Sequence, residues 1–155
     1  MPNHCYNRVT ISAHDGKEDQ FKEVLKAFES DSPFETLYPS PDWPNTPNDK
    51  GELPELREMK NSKGEVFTTT YEFPDGTNDD RWYHWRVHNW GTKWEAYDRS
   101  QGDIDEECGY AEFSFNTAWA PADGIYKAIV EKYPDVGISW FYDEPGCELA
   151  GYLPD

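Results

Sequence analysis

Twice along the sequence, an alternation of apolar and polar residues gives way to the spacing of an amphipathic helix. In residues 6–13, Val9 and Ile11 alternate with polar neighbours, which predicts a half-buried strand. The apolar side chains of the stretch that follows are spaced as on one face of a helix: Phe21, Val24, Leu25 and Phe28. Residues 109–119 and 121–133 repeat this order of strand and helix.

The remaining patterns complete a recognisable plan. Further strands are predicted at 94–103, 136–144 and 147–153, with the acidic stretch GDIDEE (102–107) as a hairpin loop. If residues 32–90 are set aside, the order is β-α-β-β-α-β with one extra strand at the end. This order is typical of a ferredoxin-like α+β fold, an antiparallel sheet with two helices on one face. We expect residues 1–155 to form a single domain of this kind.

Residues 32–78 form a predicted proline-rich insertion between the first helix and the second strand of this plan. Residues 32–56 hold six of the twelve prolines, which disfavours helix and central strand there. We expect an ordered insertion with a short helical turn at 52–60. Residues 64–73 fit either a strand or the rim of the insertion. An additional aromatic-rich helix is predicted at 80–90.

The charge balance is the main compositional signal. The chain carries 31 Asp and Glu against 14 Lys and Arg, a net charge of −17. Such a surface argues against direct nucleic-acid binding and against docking on an anionic membrane. It favours either simple solubility or an acidic face that meets a basic partner, for example by imitating DNA phosphates. The candidate partner-binding acids lie in predicted loops and strand ends: Asp98, Asp103, Asp105, Glu106, Glu107, Asp143 and Glu144.

The segment RWYHWRVHNWGTKW (81–94) contains four of the seven tryptophans and no acid. In one interpretation Trp82 and Trp85 are core residues and the arginines pair with nearby acids such as Asp79 and Glu95. In the other, the segment cradles a nucleotide or another small anion, with rings stacking on a base. The ligand-binding residues would then be Arg81, Trp82, Trp85, Arg86, His88, Trp90 and Lys93.

Catalytic and metal-binding patterns are weak. His84 and His88 share a helix face, and Cys5 or His4 could complete a metal site. Such a site needs a third ligand and usually a fourth, so two surface histidines without a metal explain the pair better. Cys5 fits a small buried residue better than a nucleophile. The sequence lacks GxxxxGK[ST], GxGxxG and GxSxG, so we assign no catalytic residue, no metal and no cofactor.

The three cysteines are widely spaced, and neither a signal peptide nor a membrane span is apparent, so we expect reduced thiols and a cytoplasmic protein. A homodimer is compatible with the sequence.

Four blocks of the sequence resemble the YubB-type family of phage and conjugative-plasmid proteins: MPNHCYNRVTISA, WYHWRVHNWGTKWEA, FSFNTAWAPA and YDEPGCELAGY. The resemblance implies a ferredoxin-like domain in a mobile-element protein and supplies no catalytic residues. This chain departs from the family's usual start at His4, where an aromatic residue is usual.

These observations lead to two functional hypotheses. The first is a non-enzymatic acidic protein that does not bind nucleic acid directly and that binds and inhibits a basic host protein in the bacterial cytosol as a counter-defence. Imitation of DNA is one form of this hypothesis. The second is a nucleotide or small-anion binder that uses residues 81–94.

Overall fold

The computed structural model describes residues 3–154. They contain four α-helices and seven strands, connected in this order: β1 His4–Ala13, α1 Glu18–Glu29, α2 Pro33–Leu37, β2 Glu55–Lys60, β3 Val66–Glu72, α3 Arg81–Asn89, β4 Tyr97–Asp105, β5 Tyr110–Ala118, α4 Asp123–Lys132, β6 Val136–Glu144 and β7 Leu149–Tyr152. Two short 3-10 helices lie at Trp43–Asn45 and Pro145–Cys147. The chain divides into two compact units. One runs up to Pro39 and resumes at Arg86, and the other is Ser40–Trp85.

The larger unit contains a five-stranded sheet in the order β4-β5-β1-β6-β7, with every neighbouring pair antiparallel. Without β7, this is the strand order of a ferredoxin-like fold, in which the first and third strands of the fold lie side by side in the centre. The predicted α+β ferredoxin-like class is therefore confirmed, and β7 is the extra strand, paired with β6.

The central strand β1 separates a covered face of the sheet from an open face. Its odd-numbered side chains from Cys5 to Ile11 are buried, whereas Tyr6 and Arg8 are exposed. On the covered face Phe28 of α1 stacks on Phe113 of β5, with ring centroids 5.2 Å apart. The predicted alternation in β1 is thus confirmed.

A short chain of hydrogen bonds satisfies the polar groups within this core. The Trp140 indole N–H donates to Asn7 Oδ1 over 2.9 Å, and the Asn7 amide donates to the Thr117 hydroxyl over 2.9 Å. Asn7, Thr117 and Trp140 are each fully buried. Because a buried polar group without a partner costs about 1–3 kcal/mol, these bonds permit an asparagine in the central strand.

The smaller unit differs from the prediction in one place. The helical turn expected at 52–60 is wrong: Glu55–Lys60 is strand β2, paired antiparallel with Val66–Glu72. Asn61 closes the connecting turn, because its side chain accepts the backbone N–H groups of Lys63 and Glu65. This turn chemistry favours a hairpin over a helix. The alternative of a strand within 64–73 is confirmed.

The loop expected at 102–107 is also shorter than predicted. Strand β4 runs to Asp105, so that most of the GDIDEE stretch is strand and the turn begins at Glu106. The start of β4 moves correspondingly from residue 94 to Tyr97. β4 pairs with β5 through two register irregularities, and local alternation does not reveal such shifts.

The start of α4 is held against the residues that follow α3. The Gly124 N–H donates to the Trp90 carbonyl over 3.0 Å. A Cβ atom on Gly124 would lie 1.7 Å from the Asn89 carbonyl oxygen, which is backbone and cannot swing away. Glycine is therefore required at residue 124 by the close approach of two backbone segments.

The variant Gly124→Ala tests this packing. Alanine normally stabilises a helix relative to glycine by about 0.5–1 kcal/mol, but here we expect destabilisation by about 2–3 kcal/mol or more from the clash. Denaturant unfolding followed by circular dichroism measures the change.

Gly102→Ala provides the control. A Cβ atom on Gly102 would lie 3.1 Å from the Glu112 carboxylate oxygen and 3.2 Å from Glu112 Cβ, contacts that a shift of a few tenths of an ångström relieves. Equal stability of the two variants would contradict the close backbone approach.

Candidate functional site

The tryptophan-rich segment begins as the predicted helix. Helix α3 spans Arg81–Asn89, and Gly91 ends it with a φ of 90°. The Gly91 N–H donates to the Arg86 carbonyl over 3.1 Å, which closes the last turn. Both the helix and its termination at Gly91 are confirmed.

The expectation that Trp82 and Trp85 are core residues is wrong. Trp82 is 37% exposed, and α3 contains no buried residue. Polar and charged residues occupy positions on every side of this short helix, so its apolar stripe is too narrow to be covered. Within this segment the buried tryptophan is Trp90, which is fully buried and donates its indole N–H to the Tyr38 carbonyl over 2.9 Å.

The Arg81 side chain forms hydrogen bonds with Asp79 and with two backbone carbonyls of the proline-rich insertion. Its guanidinium forms a two-point pair with Asp79, through Nε at 2.8 Å and a terminal nitrogen at 2.9 Å. The remaining donors reach the carbonyls of Pro47 and Trp43, each over 3.1 Å. The Arg81 guanidinium hydrogen bond holds the pKa of Asp79 below its ordinary value. The Arg81 guanidinium also lies 4.9 Å from the centre of the Trp43 ring and 5.1 Å from that of Phe73.

The other two cations of the segment lie against aromatic rings. The Arg86 guanidinium is 4.5 Å from the centre of the Trp90 ring, and Lys93 Nζ is 4.4 Å from that of Trp94. Arg86 also donates to the Lys93 carbonyl over 3.4 Å. Cation–π contacts of this kind stabilise by about 0.5–2 kcal/mol, so both side chains have structural roles.

Glu95 holds the start of α2 from 61 positions away in the sequence. Its carboxylate accepts the backbone N–H groups of Phe34 over 2.8 Å and Glu35 over 3.0 Å. Burial raises the pKa of Glu95, while these N–H donors and the charge of Arg86 oppose the rise. Sequence reasoning did not identify this role, because no local signal links Glu95 to residues so distant in the chain.

The histidines and Cys5 do not converge. His4 Nδ1 bonds the Tyr97 hydroxyl, and His84 Nε2 lies 3.6 Å from Asp80 Oδ2. Cys5 is buried as expected, and burial raises the pKa of its thiol to about 11. Within residues 3–154, no three His, Cys, Asp or Glu side chains are grouped closely enough to hold a metal ion.

The candidate acids occupy two ends of the sheet. Asn116 of β5, Tyr6 of β1 and Asp143 of β6 lie opposite one another and form one row across the sheet. Asp98 accepts a hydrogen bond from the Asn116 amide, so Asp98 and Asp143 lie at the same end of the sheet. Asp105 lies at the opposite end, in the row of Tyr110 and Ser12. Six residues of β1 separate the rows, a distance of about 20 Å. The seven acids therefore do not form one face.

Glu144 differs from the other six acids because it is only 1% exposed. It lies two strand positions beyond Tyr142 on the covered side of β6, and its carboxylate accepts the Cys147 backbone N–H over 2.5 Å. A side chain in this position cannot form part of a docking face. The alternation of β6 places it inward, since Trp140, four residues earlier, is also buried.

The acidic turn, defined as Asp103, Asp105, Glu106 and Glu107, is exposed throughout. None of its four carboxylates forms an ion pair with a cation in the described part of the chain. Asp105 accepts the Cys108 backbone N–H over 3.0 Å, and this bond lowers the pKa of Asp105. The acidic turn is therefore a concentration of exposed negative charge without a direct ion pair among the described residues, although Lys22 of α1 lines the same surface depression as Glu106 and Glu107.

Comparison with known proteins agrees with the fold. Residues 89–153 match the family model described as a ferredoxin-like domain in Api92-like protein. The matched part begins at the end of α3 and includes β4 to β7. Comparisons with curated proteins and with solved structures found no significant match. No helix within residues 3–154 is long and apolar enough to cross a membrane.

The variant Arg81→Ala tests the role of Arg81 in the insertion. It leaves the Asp79 carboxylate, which is 4% exposed, without its partner. We expect the free energy of unfolding to fall by about 2–4 kcal/mol and proteolysis within residues 40–85 to become faster. Arg81→Lys should not restore stability, because lysine cannot form the two-point pair or stack in the same way.

Arg57→Ala is the control for this experiment, since the Arg57 side chain is 54% exposed in its pairs with Glu55 and Glu72. We expect the free energy of unfolding of Arg57→Ala to stay within about 0.5 kcal/mol of that of the natural protein. Equal effects of Arg81→Ala and Arg57→Ala would show that Arg81 does not hold the insertion.

Proposed function

We propose that this protein is a non-enzymatic interaction protein that binds and inhibits a basic host protein through its acidic turn. The observation that carries the proposal is the exposure of Asp103, Asp105, Glu106 and Glu107 without an ion pair in residues 3–154. Four exposed carboxylates at one end of a hairpin attract a basic surface and speed the encounter with it.

The contacts of the tryptophan-rich segment favour this function over nucleotide binding at residues 81–94. Arg81 is directed at Asp79 and two carbonyls, and Trp90 is buried. A nucleotide in this segment would need cations for phosphates and open ring faces for a base. Arg81, predicted to hold a phosphate, and Trp90, predicted to stack on a base, already form these contacts within the fold.

Charge spacing narrows the kind of partner. Asp103 and Asp105 are two residues apart on β4, which separates their side chains by about 6.8 Å along the strand. Duplex DNA carries one charge per about 1.7 Å of its axis, a far denser array. The acidic turn offers four carboxylates confined to one hairpin and not a continuous array. It therefore suits a compact group of Lys and Arg side chains, such as part of a DNA-binding surface, better than a long basic groove.

The setting of this function follows from the resemblance described above. A protein of a phage or conjugative plasmid that neutralises a basic host protein in the bacterial cytosol would act as a counter-defence. Inhibition would follow if the occupied basic surface is the one that the host protein uses to bind nucleic acid. Docking on nucleic acid or on anionic membrane is disfavoured by the net charge of −17.

Affinity capture from a lysate of the host bacterium tests the proposal. The natural protein is compared with the variant Asp103→Asn/Asp105→Asn/Glu106→Gln/Glu107→Gln, at about 50 mM and 500 mM salt. We expect the natural protein to recover a basic protein at low salt and to release it at high salt. Recovery should fall at least tenfold for the variant, as quantified by mass spectrometry.

A variant with the same change in net charge is the matched control: Asp15→Asn/Glu23→Gln/Glu29→Gln/Asp31→Asn. These four acids are exposed and lie on or beside α1. If both variants lose the partner equally, overall charge rather than the acidic turn drives binding. If the natural protein recovers no basic protein at either salt concentration, the proposal fails.

A further inference from the structure

A row of aromatic and polar residues crosses the open face of the sheet near one end. Tyr97 of β4, Asn116 of β5, Tyr6 of β1 and Asp143 of β6 lie opposite one another across four strands. Opposed residues of antiparallel strands have their side chains on the same face. Tyr6 is 40% exposed and the other three are half-buried. These four residues, called the tyrosine row below, all belong to the larger of the two units.

Asp98 brings a second carboxylate to the tyrosine row. The register of β4 shifts between Tyr97 and Ser100, and Asp98 lies within this irregularity with a φ of 49°. Its carboxylate accepts a hydrogen bond from the Asn116 amide over 3.2 Å, which holds the carboxylate beside the row. Because neighbouring strands are about 4.8 Å apart, Asp98 and Asp143 flank the Tyr6 ring on its two sides.

The nearby cations do not neutralise these two acids. Neither Asp98 nor Asp143 forms an ion pair within residues 3–154. Arg99 follows Asp98 in the sequence, but it donates to two backbone carbonyls at and just after the end of α1. Lys93 Nζ lies 4.4 Å from the centre of the Trp94 ring. The tyrosine row and Asp98 therefore carry two negative charges on the open face.

Arg8 shows how an arginine side chain binds to this face. Its guanidinium lies 5.3 Å from the centre of the Phe141 ring on β6, and its Nε lies 3.9 Å from a Glu112 oxygen on β5. A planar guanidinium can stack on a ring and pair with a carboxylate at once, which a lysine ammonium does less well. Tyr6 lies in the next row of the same face. Within residues 3–154 its ring has no stacking or cation–π contact.

We propose that the tyrosine row binds an arginine side chain from an extended segment of a basic protein. The guanidinium stacks on the Tyr6 ring, and Asp98 and Asp143 accept its N–H groups from the two sides. The charge of the row repels anions, and the net charge of −17 opposes the approach of a second copy of this chain.

This site is separate from the acidic turn. The tyrosine row and the row of Ser12, where Asp105 lies, are six residues apart along β1, or about 20 Å. A protein docked on the acidic turn therefore need not cover the tyrosine row. The proposal goes beyond the function assigned to the acidic turn and does not depend on it.

Two peptides that differ only in charge test the proposal. In one, arginine alternates with serine over seven residues, which places the arginines on one side of an extended chain. In the other, citrulline replaces each arginine and keeps the planar group without its charge. Amide NMR of the isotope-labelled protein locates and measures binding. We expect the arginine peptide to shift the resonances of Tyr6, Asn116 and Asp143, and to bind about fivefold or more tightly than the citrulline peptide at low salt.

Variants of the row identify the contacts. Tyr6→Leu removes the ring but keeps an apolar side chain, and Asp143→Asn removes one charge. Each should weaken binding of the arginine peptide about threefold or more, with circular dichroism confirming that the fold is kept. Tyr71→Leu is the matched control, because Tyr71 is a strand tyrosine with 38% exposure. It should change the affinity less than about 1.5-fold.

Three results would overturn the proposal. The first is equal affinity for the arginine and citrulline peptides, and the second is unchanged binding in both Tyr6→Leu and Asp143→Asn. The third is the absence of shifts at the tyrosine row. If shifts then occur only at residues 102–110, the arginines bind to the acidic turn alone, and the function proposed for that turn is unaffected.

Discussion

Strand β1 is hydrogen-bonded along both edges, to β5 and to β6, and its side chains alternate between a covered and an open face. The covered side is closed by Asn7, Val9 and the aromatic rings that pack above them. Because antiparallel neighbours place opposed side chains on the same face, this alternation also decides which residues of β5 and β6 are buried. The pairing of β1 with β5 on one edge and β6 on the other gives the ferredoxin-like order, and the alternation along β1 decides which face of that sheet is covered.

The same alternation determines which reactive side chains reach solvent. Cys5 lies on the covered face, and burial raises the pKa of its thiol to about 11. Glu144 is buried by its position in β6, although it belongs to one of the most acidic stretches of the chain. The acidic turn escapes this constraint because it lies where β4 and β5 are joined, beyond the covered part of the sheet. Function is therefore proposed at a hairpin end that the core supports.

Elements with a strong local period could be predicted from the sequence. The alternation of β1 and the apolar stripe of α1 depend on neighbouring residues, and both predictions are confirmed. The sequence predicts a helical turn where β2 lies, because ELREMK (55–60) has no clear period. This segment forms a strand through its pairing with β3. The pair of Arg81 and Asp79 was among the anticipated local pairings. The bonds from Glu95 to α2 join distant parts of the chain, which a single sequence does not reveal.

Amide hydrogen exchange of the protein, alone and in complex with its captured partner, tests the central claim most directly. The claim is that the acidic turn is the docking surface. It predicts slower exchange on binding at residues 102–110, with no change at residues 142–144 of β6, which lie at the opposite end of the same sheet. Protection confined to other surfaces, with residues 102–110 exchanging as in the free protein, would contradict the claim.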